Sequence, residues 1–309
     1  MQIYLPIAEI PVNVLVILLL GLATGFLAGM FGIGGGFLAT PLLIFIGIPP
    51  AISVATSTNQ IIASSVSGVL AHLRKGNVDL KMGSILVAGG LIGSTVGVSI
   101  FKLLQQTGQI DVAIALIYVL FLGVISITMF VDSIKAVTKK KYGVAWDKKE
   151  NSCLDRFLTK IDNLPLKSYF PKSNVEMSVL VPLILSLGIG ILVALMGIGG
   201  GFLMIPAMIY ILRMPSNVVV GTSLFQIIFI ASNTTFLQAV TNNTVDIVLA
   251  FLMIISSAIG AQIGTRTVYK SDADGMRFLL SVLVLGVCAK MLLTLITEPQ
   301  SLYMIEILK

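Results

Sequence analysis

Two interruptions constrain this chain more than anything else in it. Phe31-Gly32-Ile33-Gly34-Gly35-Gly36-Phe37-Leu38 and Met196-Gly197-Ile198-Gly199-Gly200-Gly201-Phe202-Leu203 each cut an apolar stretch with glycines, and a proline follows at the same distance in both, Pro41 and Pro206. Glycine weakens a helix and admits left-handed backbone, so neither stretch continues as an undisturbed helix. A phosphate-cradling loop would end in Lys-Ser or Lys-Thr and follow an amphipathic strand, and neither feature is present. The reading that remains is a broken helix, used twice.

The solvent around those breaks is lipid. Hydrophobic residues make up 56% of the chain and charged residues 11%, and several apolar runs reach the roughly 20 residues that cross a bilayer core. The expected fold is all-α, a polytopic membrane protein. No Lys or Arg occurs before Arg74, so the basic region of a secretory signal is missing and no cleavage is expected. A first span from about Pro11 to Met30 meets the break, and a short apolar piece from Phe37 to Ile48 follows. Spans near Ala51 to Leu73, Leu80 to Leu104 and Ile110 to Val131 complete five segments in residues 1–131. Between Asp132 and Val175 stand ten Lys or Arg against five Asp or Glu, most of the chain's net charge of +6. Residues 132–177 therefore read as a basic cytoplasmic linker that touches anionic membrane lipid, and not as a nucleic-acid site. Residues 178–309 repeat the five-segment pattern.

The halves align beyond the glycines. Thr56-Ser57-Thr58-Asn59-Gln60-Ile61 answers Thr222-Ser223-Leu224-Phe225-Gln226-Ile227, and Asn77-Val78-Asp79-Leu80 answers Thr244-Val245-Asp246-Ile247. Equivalent turns have exchanged charge: the one with Arg74, Lys75 and Lys81 matches an unbasic turn at Asn242 to Asp246, while uncharged Gly47 to Pro50 matches a turn with Arg213. The turn with only Lys102 likewise matches one with Arg266, Lys270 and Arg277, and with the linker inside the more positive member of each pair also falls inside if all segments cross. The expectation is two inverted five-segment repeats, ten crossings and both termini outside.

These paired Gly-x-Gly-Gly-Gly-Phe breaks, each followed by Pro and then by a Thr-Ser-x-x-Gln segment, resemble the TauE/SafE family of sulfite and sulfonate exporters over nearly the whole chain outside the linker. The resemblance implies export of small sulfur-containing or carboxylated anions across the cytoplasmic membrane, with a site between the repeats.

The residues themselves support an anion site. Backbone exposed at a break must be buried in protein or line a wet cavity, and helix N-termini beside it carry unpaired N–H groups and partial positive charge. The candidate substrate-binding set is therefore Gly34, Gly35 and Gly36 with Gly199, Gly200 and Gly201, together with the hydroxyls and amides of Thr56, Ser57, Gln60, Thr222, Ser223 and Gln226. The opposing reading for these polar residues is interhelical glue; for Gly89, Gly90, Gly93, Gly97, Gly260 and Gly264, tight helix packing is preferred outright. His72, the only histidine, falls at a helix end beside Arg74 and Lys75 and reads as interfacial. No metal cluster, cofactor motif, Ser-His-Asp set or pair of membrane-embedded carboxylates stands out, so the chain reads as a transporter without a cofactor and not as an enzyme. The rivals are an anion channel, a dicarboxylate transporter, or a scaffold acting through the linker. The sequence sets no oligomeric state.

Overall fold

The structure is a computed structural model that describes residues 2–31, 36–142, 166–267 and 273–296. It is mainly helical, in keeping with a polytopic membrane protein, but two β-hairpins interrupt the all-α expectation. Strands β1 (Gln2–Leu5) and β2 (Ile10–Asn13) pair antiparallel, as do β3 (Lys167–Phe170) and β4 (Val175–Ser178). Glu9 and Asn174 adopt left-handed backbone between the strands of each. Pro11, expected at the start of the first span, lies in β2, and the second hairpin takes up the end of the basic stretch.

The first hairpin leads into α1 (Val14–Phe31), the first break, and the half-length α2 (Gly36–Phe45). Helices α3 (Pro50–Arg74), α4 (Leu80–Gln106) and α5 (Ile110–Tyr142) follow. After the second hairpin come α6 (Leu180–Met196), the second break, α7 (Gly201–Tyr210) and α8 (Ser216–Leu237), which ends in a π-helical turn at Gln238–Asn242. Last are α9 (Ile247–Thr267) and α10 (Ala273–Ile296). At ten residues each, α2 and α7 rise only about 15 Å, about half of a bilayer core, in keeping with the short apolar piece read after each break. Among the described residues, four helices are long and apolar enough to cross a membrane: Leu80–Gln106, Ile110–Thr128, Val218–Asn242 and Ile247–Gly264.

Two compact units are present. One holds residues 1–110 and 147–271; the other holds 111–146 and 272–309, where the Cys288 thiol donates to the Val119 carbonyl at 3.6 Å.

Within the larger unit the halves exchange their fourth helices: α1 lies along α9 and α4 along α6, while α3 packs against α8. Small residues make the exchange possible. A Cβ on Gly93 would overlap the Leu187 carbonyl and one on Gly260 the Leu22 carbonyl, and a Cβ on Gly190 would lie 2.5 Å from the Gly90 carbonyl. These backbones touch, as expected of helices that associate in lipid without a hydrophobic driving force. The opposite face of α4 carries exposed Ile92, Val96, Ile100 and Leu103, so the helix is small inside and large and apolar outside.

Each exchanged helix is also held at its start by a buried aspartate. Asp79 Oδ1 caps α4 by accepting from Met82 N at 3.0 Å, and its Oδ2 accepts from Ser173 N at 3.2 Å and Ser173 Oγ at 2.6 Å in the second hairpin's turn. Its own N–H donates to Thr222 Oγ1 at 3.0 Å. Asp246 repeats the arrangement: Oδ1 accepts from Val248 N and Leu249 N at 3.1 and 3.0 Å, Oδ2 accepts from Ile7 N at 3.0 Å in the first hairpin's turn, and its N–H donates to Thr56 Oγ1 at 3.1 Å. Thr56 lies near the start of α3 and Asp79 just past its end. The two clamps are thus set apart by the eighteen residue steps from Thr56 to Arg74, about 27 Å of rise. The Asp79 end is basic, with Arg74, Lys75, Lys81, Lys167 and Lys172, and Lys172 Nζ donates to the Gly76 carbonyl at 3.0 Å while Lys81 Nζ donates to the Tyr169 carbonyl at 2.8 Å. The first hairpin and the Asn242 to Asp246 turn at the other end contain no Lys or Arg.

Candidate functional site

The described parts of the two breaks meet against α3. A Cβ on Gly36 would fall 2.8 Å from the Gly197 carbonyl, and one on Gly197 would fall 2.5 Å from the Val54 carbonyl and 2.9 Å from Ser57 Oγ. Gly197 has φ +67°, so a side chain there would be strained as well as crowded. Gly199 and Gly200 are also left-handed, at φ +78° and +75°, which is why α6 ends and α7 restarts within four residues. Phe37 and Phe202, the residues just past each break, stack with centroids 4.6 Å apart and rings 1° from parallel. Beyond them Ile61 and Ile227, equivalent residues of α3 and α8, join one buried cluster with Ala231. Gly201 is buried at the start of α7, while Gly34 and Gly35 lie outside the described residues.

The polar candidates divide into two kinds. Thr56 and Thr222 are fully buried, and their hydroxyls accept from the Asp246 and Asp79 amides, so their observed work is to hold the exchanged helices. Ser223 Oγ donates to the Val220 carbonyl at 2.9 Å within its own helix. Ser57 stands at the junction itself, 2.7 Å from Thr40 Oγ1 and 3.4 Å from the Gly197 carbonyl to which it donates.

The two glutamines are different. Each is fully buried one helical turn inside a clamped threonine, and each directly precedes the isoleucine, Ile61 or Ile227, of the cluster beside the breaks. Gln60 Nε2 donates to Thr24 Oγ1 at 2.7 Å, and Thr24 passes its own proton to the Leu20 carbonyl at 2.9 Å. This leaves Gln60 Oε1 without a partner. In the second half the position of Thr24 is taken by Ile189, and neither Nε2 nor Oε1 of Gln226 has a partner. A buried polar group without a hydrogen bond costs about 1–3 kcal/mol, so the amides mark places where a bound polar molecule gains most.

Thr24, Thr40 and the two aspartates were not singled out from sequence. The matched Asn77 to Leu80 and Thr244 to Ile247 segments carried the only signal for the aspartates; Thr24 has no polar counterpart that could have flagged it. Gly89, Gly90, Gly93, Gly97, Gly260 and Gly264 are packing glycines, as expected. His72 is half-buried with its Cβ against Gly221. No group of three or more His, Cys, Asp or Glu side chains is placed to hold a metal among the described residues.

A family model described as "Sulfite exporter TauE/SafE" matches residues 17–291. The chain is 28% identical over 274 residues to "Probable membrane transporter protein YjnA" of Bacillus subtilis, covering 87% of this chain and 96% of that one. It is 24% identical over 279 residues to "Probable membrane transporter protein YunE" of the same organism, covering 87% and 94%. A shorter match, 34% over 90 residues, is to "Sulfite exporter TauE/SafE family protein 1" of Arabidopsis thaliana, covering 29% of this chain and 20% of the plant protein. No solved structure matches the chain.

Proposed function

The chain belongs to the sulfite exporter TauE/SafE family of membrane transporters, and from that premise we propose that it exports small sulfur-containing anions, sulfite or sulfonates, by alternating access. The observation that carries the proposal is the junction of the two glycine breaks, flanked by buried amides with unused hydrogen-bonding capacity. Gln60, Gln226, Ser57 and the breaks at Gly34 to Gly36 and Gly199 to Gly201 are its site. Hydrogen-bond donors can hold an anion there without a buried fixed charge. A monoanion leaving a negative-inside cell gains about 2.3 kcal/mol per 100 mV, so export proceeds without a carboxylate relay.

Counterflow in proteoliposomes with sulfite, thiosulfate, short sulfonates and dicarboxylates tests the substrate class. Exchange of sulfite or a sulfonate is expected, and folded protein that exchanges none of these sulfur anions would sink the proposal. Gln226→Ala should weaken apparent affinity by roughly ten- to a hundredfold, the loss of a hydrogen bond to a charged group, and Gln60→Ala should do the same through the second Nε2 hydrogen that Thr24 leaves free. Unchanged affinity with lowered thermal stability would instead make both residues interhelical glue. Flux that fails to saturate would point to a channel.

The proposed orientation is two inverted repeats within the cytoplasmic membrane, ten crossings when each half-length helix is completed across the bilayer by the break before it. Support comes from the clamps, which join the start of α3 to the turn after α8 and the start of α8 to the turn after α3, as antiparallel equivalents require. Basic residues gather at the Asp79 end, which the positive-inside rule assigns to the cytoplasm. Single cysteines at Asn243 and Gly76 should label from outside and inside respectively; labelling from one side only would end the inverted scheme.

A further inference from the structure

The two glutamines are chemically unequal, and the inequality bears on which form of the anion is bound. This inference rests on the transporter reading above. Gln60 gives one Nε2 hydrogen to Thr24 and keeps a bare Oε1, whereas Gln226, whose half has Ile189 at the position of Thr24, keeps both of its polar atoms bare in a fully buried position. A primary amide presents a donor and an acceptor side by side. A fully deprotonated oxyanion offers acceptors only, so it would satisfy Nε2 while setting a negative oxygen against Oε1. A monoprotonated oxyacid such as hydrogensulfite carries an S–O and an S–OH on one atom, and can pair with both sides of the amide at once.

We propose that Gln226 recognises a small monoprotonated oxyanion, accepting its O–H on Oε1 and donating Nε2–H to a neighbouring oxygen. The position suits first capture. Gln226 lies one turn inside the Asp79 clamp, at the end of the unit where Arg74, Lys75, Lys81, Lys167 and Lys172 raise the local concentration of anions. The groups on neighbouring elements that can titrate or carry charge stand at element ends. They are His72 and Arg74 on α3, Lys81 and Lys102 on α4, Tyr210 on α7 and Arg266 on α9, with Asp79 in the turn that meets Thr222; α6 and α8 carry none. His72, against Gly221, and Asp79 are nearest along the chain contacts, so the test separates their titration from that of the ligand.

The experiment measures binding to the full chain in detergent by ligand-induced thermal shift, from mildly acidic to alkaline pH, with sulfite and with methanesulfonate. Sulfite loses its proton within this range and methanesulfonate has none to lose. Apparent affinity for total sulfite is expected to fall about tenfold per pH unit above the ligand's own pKa, while methanesulfonate binds more weakly with a flat profile. Gln226→Met, close in volume but without the amide, should bind sulfite weakly and flatten its profile, which a merely structural role would not do. A flat sulfite profile in the unaltered protein, with counterflow intact, overturns the protonated-ligand inference and leaves the transporter reading standing. Equal slopes for both ligands assign the titration to the protein and overturn it too. If neither ligand binds or exchanges, the transporter reading itself has failed, and this inference with it.

Discussion

Asp79→Ala is expected to lose about 3–5 kcal/mol of stability, among the largest effects of any single substitution in this chain. The carboxylate is 1% exposed and accepts from Met82 N, Ser173 N and Ser173 Oγ. Its removal takes away a helix cap, worth about 0.5–2 kcal/mol, and a charge-assisted pair, worth about 1.5–3 kcal/mol, and leaves Ser173 with buried donors. Asp79→Asn retains one acceptor and should lose about half as much. Thermal unfolding in detergent checks the order, and Ser173→Ala should add little once Asp79 is gone, because the two changes break one interaction. A loss under about 1 kcal/mol for Asp79→Ala would mean that the clamp is ornamental.

The second large effect concerns Gly93. Adding one methyl group there drives a Cβ into the Leu187 backbone, which has no rotamer to yield, so α4 and α6 must separate along their length. Gly93→Ala should destabilise by about 3 kcal/mol, at the upper end of overpacking costs, and Gly93→Leu should leave no folded protein. Gly188→Ala is the matched control, since a Cβ there meets nothing within 4 Å and alanine favours a helix. Equal stability of the two alanine variants would show that the close contact is not what holds the helices together.

The parts of this architecture that were readable in the sequence are those written in consecutive residues. Glycine interruptions predicted the short α2 and α7, and internal matches such as Thr56 with Thr222 identified true structural equivalents. Both hairpins escaped notice because strands of four residues give two alternations at most, too few to stand out beside an 18-residue apolar helix. The exchange of fourth helices was also hidden. Nothing in the spacing of Gly89, Gly93 and Gly97 says which helix they meet, only that some backbone comes close. Thr56 and Thr222 show the same limit: a buried hydroxyl in lipid needs a partner, and local sequence does not distinguish a ligand from an amide 190 residues away. Gln226 shows the limit most plainly: its own segment matches that of Gln60, and nothing in it says that both polar atoms of the amide are buried without a partner.

The exchanged helices bear on how the protein is made. When the ribosome has finished the first half, α1 still lacks the surface that its Gly21, Gly25 and Gly29 fit, because Ser256, Ser257 and Ala261 have not been synthesised. The first hairpin waits for Asp246, 239 residues ahead of Ile7. A first half released alone would therefore present its close-packing stripes to lipid and its hairpin to water, a form that quality-control proteases can recognise. The exchanged-helix packing completes only after the second half has entered the membrane, and a nonsense mutation between the halves would leave an orphan and not a smaller transporter.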